Sequence, residues 1–238
     1  MSVQWQGAWE SVIHHPLFGI GITLGAYQLV LAAYEKNRWI FLQPVLASML
    51  LVIGVLLSCG LSYAEYREST NILSILLGPA TVALAVPLYL NLRRIHQLFW
   101  PILTTLVVGG VFATGLVVLL AWWFGAEHMM LMTLAPKSVT SPIAMLVAEQ
   151  IGGVAALAAV FVLITGVIGA ICGPGLLQLL GVHSPEARGM ALGMTAHAVG
   201  TSVALHESEE CGAFAALAMS LMGVATAVFL PLAVTLVV

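Results

Sequence analysis

The sequence predicts an all-α, polytopic integral membrane protein of about eight hydrophobic segments, with helices that proline and glycine interrupt. Three observations lead there. Of 238 residues, 61% are hydrophobic and 7% charged, with a mean hydropathy of +1.07. A soluble domain carries about a quarter charged residues, so this chain has too few charges to cover a surface in water. The apolar residues also gather in runs near the roughly 20 residues that a helix needs to cross about 30 Å of hydrocarbon. Short loops join these runs without any linker, so residues 1–238 read as one domain.

The first run, Pro16–Ala33, follows a start with neither a basic region nor a small-residue cleavage site, so it reads as a retained segment and not a secretory signal. Trp39–Leu61 comes next, then Ile72–Leu90, which holds Pro79 and Pro87. Phe99–Phe124, Met129–Ala148 and Val154–Leu180 follow. Met190–Leu205 is short for a full crossing and holds Gly193 and Gly200, so it is expected to be broken or completed by its flanks. Ala213–Val238 is the eighth. Trp5, Trp9, Trp39, Trp100, Trp122 and Trp123 lie at or near the segment ends, as interfacial aromatics do.

Cationic residues in short loops set orientation. If every segment crosses once, Lys36, Arg38, Arg93 and Arg94 share one side, and Arg67 and Arg188 the other. That count places both termini outside the cytoplasm, and one re-entrant segment would void it for everything downstream. An internal repeat is also expected. Leu76–Val86 resembles Thr133–Ile143 at an offset of 57 residues, with Leu77, Pro79, Thr81 and Val82 matching Leu134, Pro136, Ser138 and Val139. Repeated units with interrupted helices are a habit of secondary transporters. Two single crossings per unit would make the repeats parallel; an inverted pair needs an odd number.

The stretch "LAPKSVTSPIAM", Leu134–Met145, carries the chemistry. Pro136 and Pro142 each remove an amide and clash with the preceding turn, so a helix here should kink or unwind. Free backbone groups at membrane depth are tolerated only inside protein or along a watered cavity. Ser141 before Pro142 reads as an N-cap with proline in the first turn, and a half-helix starting there would aim its amides toward Lys137. Ser138, Thr140 and Ser141 add hydroxyl donors, which together make a carboxylate-binding arrangement. Lys137 is the one lysine or arginine inside an apolar segment. A charge at the bilayer centre costs about 3 kcal/mol on insertion scales, so it needs a counter-ion, a substrate anion or the interface. Glu149 is a candidate counter-charge or a solvated loop residue. Lys137 could otherwise snorkel from a helix end.

Two other segments contribute. Thr81, between the breaks Pro79 and Pro87, could face the lysine segment with a hydroxyl. In "GMTAHAVGTSVAL", Gly193–Leu205, His197 is followed by Gly200, a further candidate break, and Thr201. A histidine there could relay a proton or simply make an interhelical hydrogen bond. The acidic "HESEEC", His206–Cys211, reads as an exposed connection; its histidine and glutamates are weak as a metal site.

Other classes find little support. The net charge of -3 and pI near 6.1 give no basic footprint for nucleic acid. Cys59, Cys172 and Cys211 lie far apart and read as free thiols. The chain holds no aspartate, no G-x-S-x-G, no H-E-x-x-H and no P-loop, so no enzyme, cofactor or metal is expected.

The stretches "GPATVALAVPLY", "LAPKSVTSPIAM", "IGG" at Ile151–Gly153 and "ARGMALGMTAHAVGT" at Ala187–Thr201 resemble, in order and over almost the whole chain, the LrgB/CidB family of bacterial membrane proteins. The resemblance implies a multi-pass protein of the bacterial inner membrane. It also implies one of two roles: a holin- or antiholin-like modulator of murein hydrolases and autolysis, or a carrier of small monocarboxylates such as pyruvate or glycolate. A small LrgA/CidA-type membrane protein is the implied partner, beside a homo-oligomer. The family motif falls on Pro79, Thr81, Pro87, Pro136, Lys137, Ser138, Thr140, Pro142, His197, Gly200 and Thr201. Val203, His206 and Cys211 stand where relatives commonly carry a basic residue and two glutamates. From the residues themselves the expectation is a carrier working by alternating access, with Lys137 as anchor, Ser138, Thr140 and Ser141 as donors, and Thr81, His197 and Thr201 as further contacts.

Overall fold

The computed structural model describes residues 10–37, 42, 44–83 and 85–237, and among these every regular element is helical. The helices are α1 Pro16–Asn37, α2 Pro44–Cys59, α3 Tyr63–Ser69, α4 Asn71–Ala83, α5 Ala85–Leu90, α6 Leu92–Gln97 and α7 Phe99–Thr104. A π-helical turn, Thr105–Gly109, leads into α8 Gly110–Trp123. Then come α9 His128–Leu134, α10 Ser141–Gln150, α11 Ala155–Leu179, α12 Pro185–Glu207 and α13 Glu209–Val237. The chain divides into two compact units, Met1–Ala83 and Leu84–Val238.

In the first unit α1 packs on α2 and on α3, which bends 116° away from α2. Ser62 starts α3 with a reciprocal cap, its hydroxyl accepting from the Glu65 amide while the Glu65 carboxylate accepts from the Ser62 amide. The Thr23 and Tyr66 hydroxyls, 2.8 Å apart, tie α1 to α3.

Four helical stretches are long and apolar enough to cross a membrane: Leu17–Lys36, Phe99–Trp123, Ala155–Leu179 and Glu209–Leu236. Pro44–Cys59 with Tyr63–Ser69 would make a fifth as one bent span. The expected eight crossings are not found among the described residues. In Ile72–Leu90 the described helices are α4 and α5, on either side of residue 84, which lies outside the described residues. Met129–Ala148 and Met190–Leu205 each fold back on themselves.

The fold-back of α12 follows from three observations. His197 has φ 41° and ψ −126°, the single positive φ outside glycine among the described residues. Arg188, near the start of α12, donates to both carboxylate oxygens of Glu207 at its end, at 2.7 and 2.8 Å. In a straight helix those residues would stand about 28 Å apart at 1.5 Å per residue. The α-carbon of Gly200 also lies against the Leu192 carbonyl, which an added methyl would strike. Residues 185–196 therefore run in, the chain reverses at His197, and residues 198–207 run back. The expected break in this segment is present, but at His197; Gly200 is where the returning arm packs against the entering one.

α9 and α10 make a second hairpin. Leu131, Met132 and Ala135 cluster with Val147 and Ile151, the pairing of an antiparallel turn. Gly153, just beyond, sits against the Thr133 backbone, and the Thr133 hydroxyl accepts the Val154 amide at 2.9 Å. Pro136 lies in the unwound link between the helices, and Pro142 sits in the first turn of α10, where a missing amide costs no helical bond. Pro79 does not interrupt its helix: α4 runs through it to Ala83. Pro87 sits inside α5. The stretch Leu76–Val86 is thus helical around Pro79 where its supposed repeat, Thr133–Ile143, is unwound, and the two are not equivalent in conformation.

Glycines let the second unit close. Gly189 and Gly193 bring the entering arm of α12 onto the Cys211 and Ala215 backbone of α13. Gly166, Gly169 and Gly173 on α11 receive His197, Ala196 and Leu192. In the span Phe99–Trp123, Gly109 and Gly110 take the Met194 and Met222 side chains beside the π turn. At the ends of that span Trp100, Trp122 and Trp123 are exposed; Trp5, Trp9 and Trp39, with Arg38, lie outside the described residues.

Two substitutions separate packing from propensity. Gly193→Ala sets a methyl against a backbone carbonyl that has no rotamer to yield, and should abolish recovery of monodisperse protein in detergent. Gly175→Ala, with nothing within 4 Å, should leave the melting temperature unchanged or slightly raised. Equal behaviour of the two variants in size-exclusion chromatography would contradict this packing.

Candidate functional site

The two hairpin tips carry most of the residues that the sequence singles out. In the α9–α10 link, the Lys137 amide donates to the Leu134 carbonyl at 3.1 Å and the Val139 amide to the Pro136 carbonyl at 3.3 Å, tight turns that replace helix. Pro136, Ser138 and Val139 are buried; Lys137 is half-buried. The ammonium of Lys137 donates to the Ser138 hydroxyl at 3.1 Å. No ion pair to Lys137 is present among the described residues. Glu149 does not serve as its counter-charge, because it is exposed at the far end of α10.

The start of α10 differs by one residue from expectation. Thr140, with extended backbone, is the N-cap; Ser141 is the first helical residue, and Pro142 follows it. The Thr140 carbonyl accepts the Ala144 amide at 2.9 Å, while its hydroxyl makes no capping bond. The first turn of α10 thus keeps orphan amides on the side of Lys137. Thr81 belongs to the first unit and its side chain lies outside the described residues.

His197 and Thr201 form the other tip. The imidazole Nε2 of His197 lies 2.9 Å from the Val162 carbonyl, which can only accept, so Nε2 carries the hydrogen. This is the interhelical bond that the sequence left open beside proton relay. The ring fits because residue 166 is glycine, whose missing β-carbon would stand 2.7 Å from Cε1 and Nε2. The Thr201 hydroxyl donates to the His197 carbonyl at 2.8 Å, one turn back along the returning arm.

One apolar cluster joins the tips. Val139 and Ala144 from the first, Met190 and Met194 from the second, Val162 of α11 and Phe214, Ala218 and Met222 of α13 pack together. The Lys137–Ser138 pair and the His197 reversal therefore border a shared core near the middle of α11.

Sequence reasoning missed an ionic assembly at the other end of α12. Arg94 donates to Glu186 through Nε at 2.8 Å and through a terminal nitrogen at 2.6 Å, and lies 4.0 Å from Glu210. Arg188 pairs with Glu207 and also donates to the Val182 carbonyl at 3.1 Å. This corrects two expectations. Arg188 stands at the same end as Arg94, because the segment Met129–Ala148 between them folds back and does not cross. The stretch His206–Cys211 is not merely an exposed connection, since Glu207 and Glu210 face arginines and Ser208 accepts the Cys211 amide at 3.0 Å. A hydrogen bond from its own backbone amide, then Arg94, holds the Glu186 carboxyl below the ordinary carboxylate range. The Glu207 carboxylate raises the Arg188 guanidinium above its usual value. No group of three metal-ligating side chains occurs among the described residues.

Two predictions follow from these geometries. A backbone in the left-handed region costs a non-glycine residue of order 1–3 kcal/mol. His197→Gly should therefore melt above His197→Ala, which keeps the strain and loses the ring; the reverse order would mean His197 is unstrained. Because the folded-state pKa of Glu186 is depressed, its stabilising pair with Arg94 is present above the ordinary carboxylate pKa of about 4.3 and is lost as pH falls through the lower folded value. Wild type should thus lose melting temperature below about pH 4 more steeply than Glu186→Gln, as thermal scans across pH would read.

Comparison with known proteins places this architecture. The LrgB-like family profile matches residues 23–236. The chain is 37% identical over 215 residues to "Uncharacterized protein YxaC" of Bacillus subtilis (strain 168), covering 90% of this chain and 94% of the relative. It is 31% identical over 223 residues to "Antiholin-like protein LrgB" of the same organism, covering 93% and 96%. To "Antiholin-like protein LrgB" of Bacillus mycoides (strain KBAB4) it is 32% identical over 218 residues, covering 91% and 95%. No solved structure matches. Matched along nearly its whole length by profile and relatives alike, the chain belongs to the LrgB-like family.

Proposed function

We propose that this chain is a multi-pass protein of the bacterial inner membrane with an antiholin-like role, modulating murein hydrolase activity and autolysis beside a small LrgA/CidA-type membrane partner. The antiholin-like designation of its LrgB relatives supports this reading, and its apolar helices support the membrane location.

A specific observation favours a second reading of how it acts. Lys137 sits at an unwound hairpin tip, half-buried, bonded to one hydroxyl and paired with no carboxylate among the described residues. A cation kept at membrane depth without a fixed partner suits an anion that comes and goes. Orphan amides at the start of α10 and the hydroxyls of Ser138, Thr140 and Ser141 match a small monocarboxylate such as pyruvate or glycolate. In this reading the protein is a carrier that works by alternating access, and altered organic-acid flux is what bears on lysis. No chemical change of the substrate is involved.

Uptake of labelled pyruvate and glycolate into proteoliposomes, wild type beside Lys137→Ala, separates the readings. Saturable uptake by wild type, lost at least tenfold in a variant that still inserts and folds, is the carrier result. Autolysis rates in a deletion strain complemented with each form give the second axis. Unaltered lysis control by Lys137→Ala, with no uptake by either form, would leave the antiholin-like role without the carrier.

A further inference from the structure

We infer that residues 128–179 and 185–237 form an inverted-topology pair, each a re-entrant hairpin followed by one crossing helix, and that the two tips close a single buried site from opposite faces of the membrane. The assignment of one site to both tips rests on the carrier reading; the topology does not.

Spacing is the first support. The α9–α10 hairpin spans 128–150 and the α12 hairpin 185–207, so both ends are offset by 57 residues. α11 and α13 then follow as the two long apolar helices. A hairpin contributes no net crossing, so each unit crosses once, the odd number that inverts the second copy relative to the first.

Contacts supply the direction. The base of the first hairpin, Leu131, Met132 and Ile151, packs with Val118 and Ala121 near the end of α8 and with Leu230 and Val234 near the end of α13. The second hairpin, through Ala204 on its returning arm, packs with Cys211 and Ala215 at the opposite end, the start, of α13, and with Leu177 at the end of α11. Arg94, which precedes the span Phe99–Trp123, pairs with Glu186 there. The hairpins therefore enter from opposite ends of the second unit.

Depth is the third support. Ala144 of the first hairpin shares a cluster with Val162 of α11, and His197 of the second bonds the Val162 carbonyl and abuts Gly166. Both tips reach the central part of the same 25-residue helix. At the offset of 57, Thr140 corresponds to His197. One ends the unwound link and caps α10; the other is the reversal itself. Lys137 corresponds to Met194, so the two half-sites are unlike in charge, with the cation on one tip only.

The test is cysteine accessibility. In a background carrying Cys59→Ser, Cys172→Ser and Cys211→Ala, single cysteines replace Glu127, Gln150, His183 and Glu209. Each is labelled with a membrane-impermeant maleimide in right-side-out and inverted vesicles. Positions 127 and 150 should label from one face, and 183 and 209 from the other. Labelling of 183 and 209 from opposite faces, or of all four from one face, would overturn the inference. A second measurement avoids the cysteine-free background. Arg188→Cys with Glu207→Cys should be joined by a short bis-maleimide and recovered as one crosslinked peptide by mass spectrometry. No crosslink in folded protein would also overturn it. Correct topology without carboxylate uptake by wild type would remove the carrier reading and leave the inverted pair standing.

Discussion

The architecture of the second unit depends on burying a chain reversal where no water can satisfy the backbone. At His197 the helix ends in mid-path, and its exposed groups need partners from the protein itself. The Thr201 hydroxyl takes the His197 carbonyl, and the imidazole spans to Val162 on α11. These two bonds hold the turn, but they can form only if α11 approaches closely. Glycines at 166, 169 and 173 permit that approach along the entering arm, and glycines at 189 and 193 permit the same against α13. The small-residue pattern is thus a consequence of the reversal, because three backbones must converge where side chains would ordinarily keep helices apart.

The same constraint explains the division of labour between the two ends of the α12 hairpin. Its tip is buried and satisfied by uncharged groups. Its base lies where water is available, and there the chain uses charge: Arg188 clips the two arms together through Glu207, while Arg94 ties the base to α6 through Glu186. Partly exposed ion pairs contribute modestly, about 1 kcal/mol or less each. Their larger effect is positional, since the bidentate geometry fixes which ends of the arms meet. The α9–α10 hairpin uses no such clip among the described residues. It is held by Thr133, whose hydroxyl accepts from Val154 and donates to the Met129 carbonyl, and by the apolar contacts of its own arms.

Lys137 stands out against this economy. The arginines at the base of α12 are paired with carboxylates, and buried Thr133, His197 and Thr201 are tied to backbone carbonyls. Among the described residues, Lys137 offers a charge at a buried tip with Ser138 as its bonded side chain. Membrane proteins keep such a group where its partner is transient or its task is to recognise charge, which is why the carrier reading starts from this residue.

Much of this was determined by sequence alone. Composition decided the solvent, because 7% charged residues cannot cover a soluble surface. The two prolines of "LAPKSVTSPIAM" marked the place where the helix unwinds and the next one starts, since Pro136 would cost a helix interior a bond and Pro142 suits a first turn. The short, glycine-bearing Met190–Leu205 announced a break. What the tertiary structure decided is the direction in which the chain leaves each break. Hydropathy is the same for a segment that crosses and one that turns back, so runs of apolar residues overcounted the crossings and misassigned the side of Arg188. The exact site of reversal escaped for a related reason: glycine is the residue expected at positive φ, yet the turn falls on His197, three residues before Gly200, where the imidazole reaches the Val162 carbonyl. The pairing of Arg94 with Glu186 and of Arg188 with Glu207 was likewise invisible, as residues 92 and 19 positions apart meet only once the hairpin has closed.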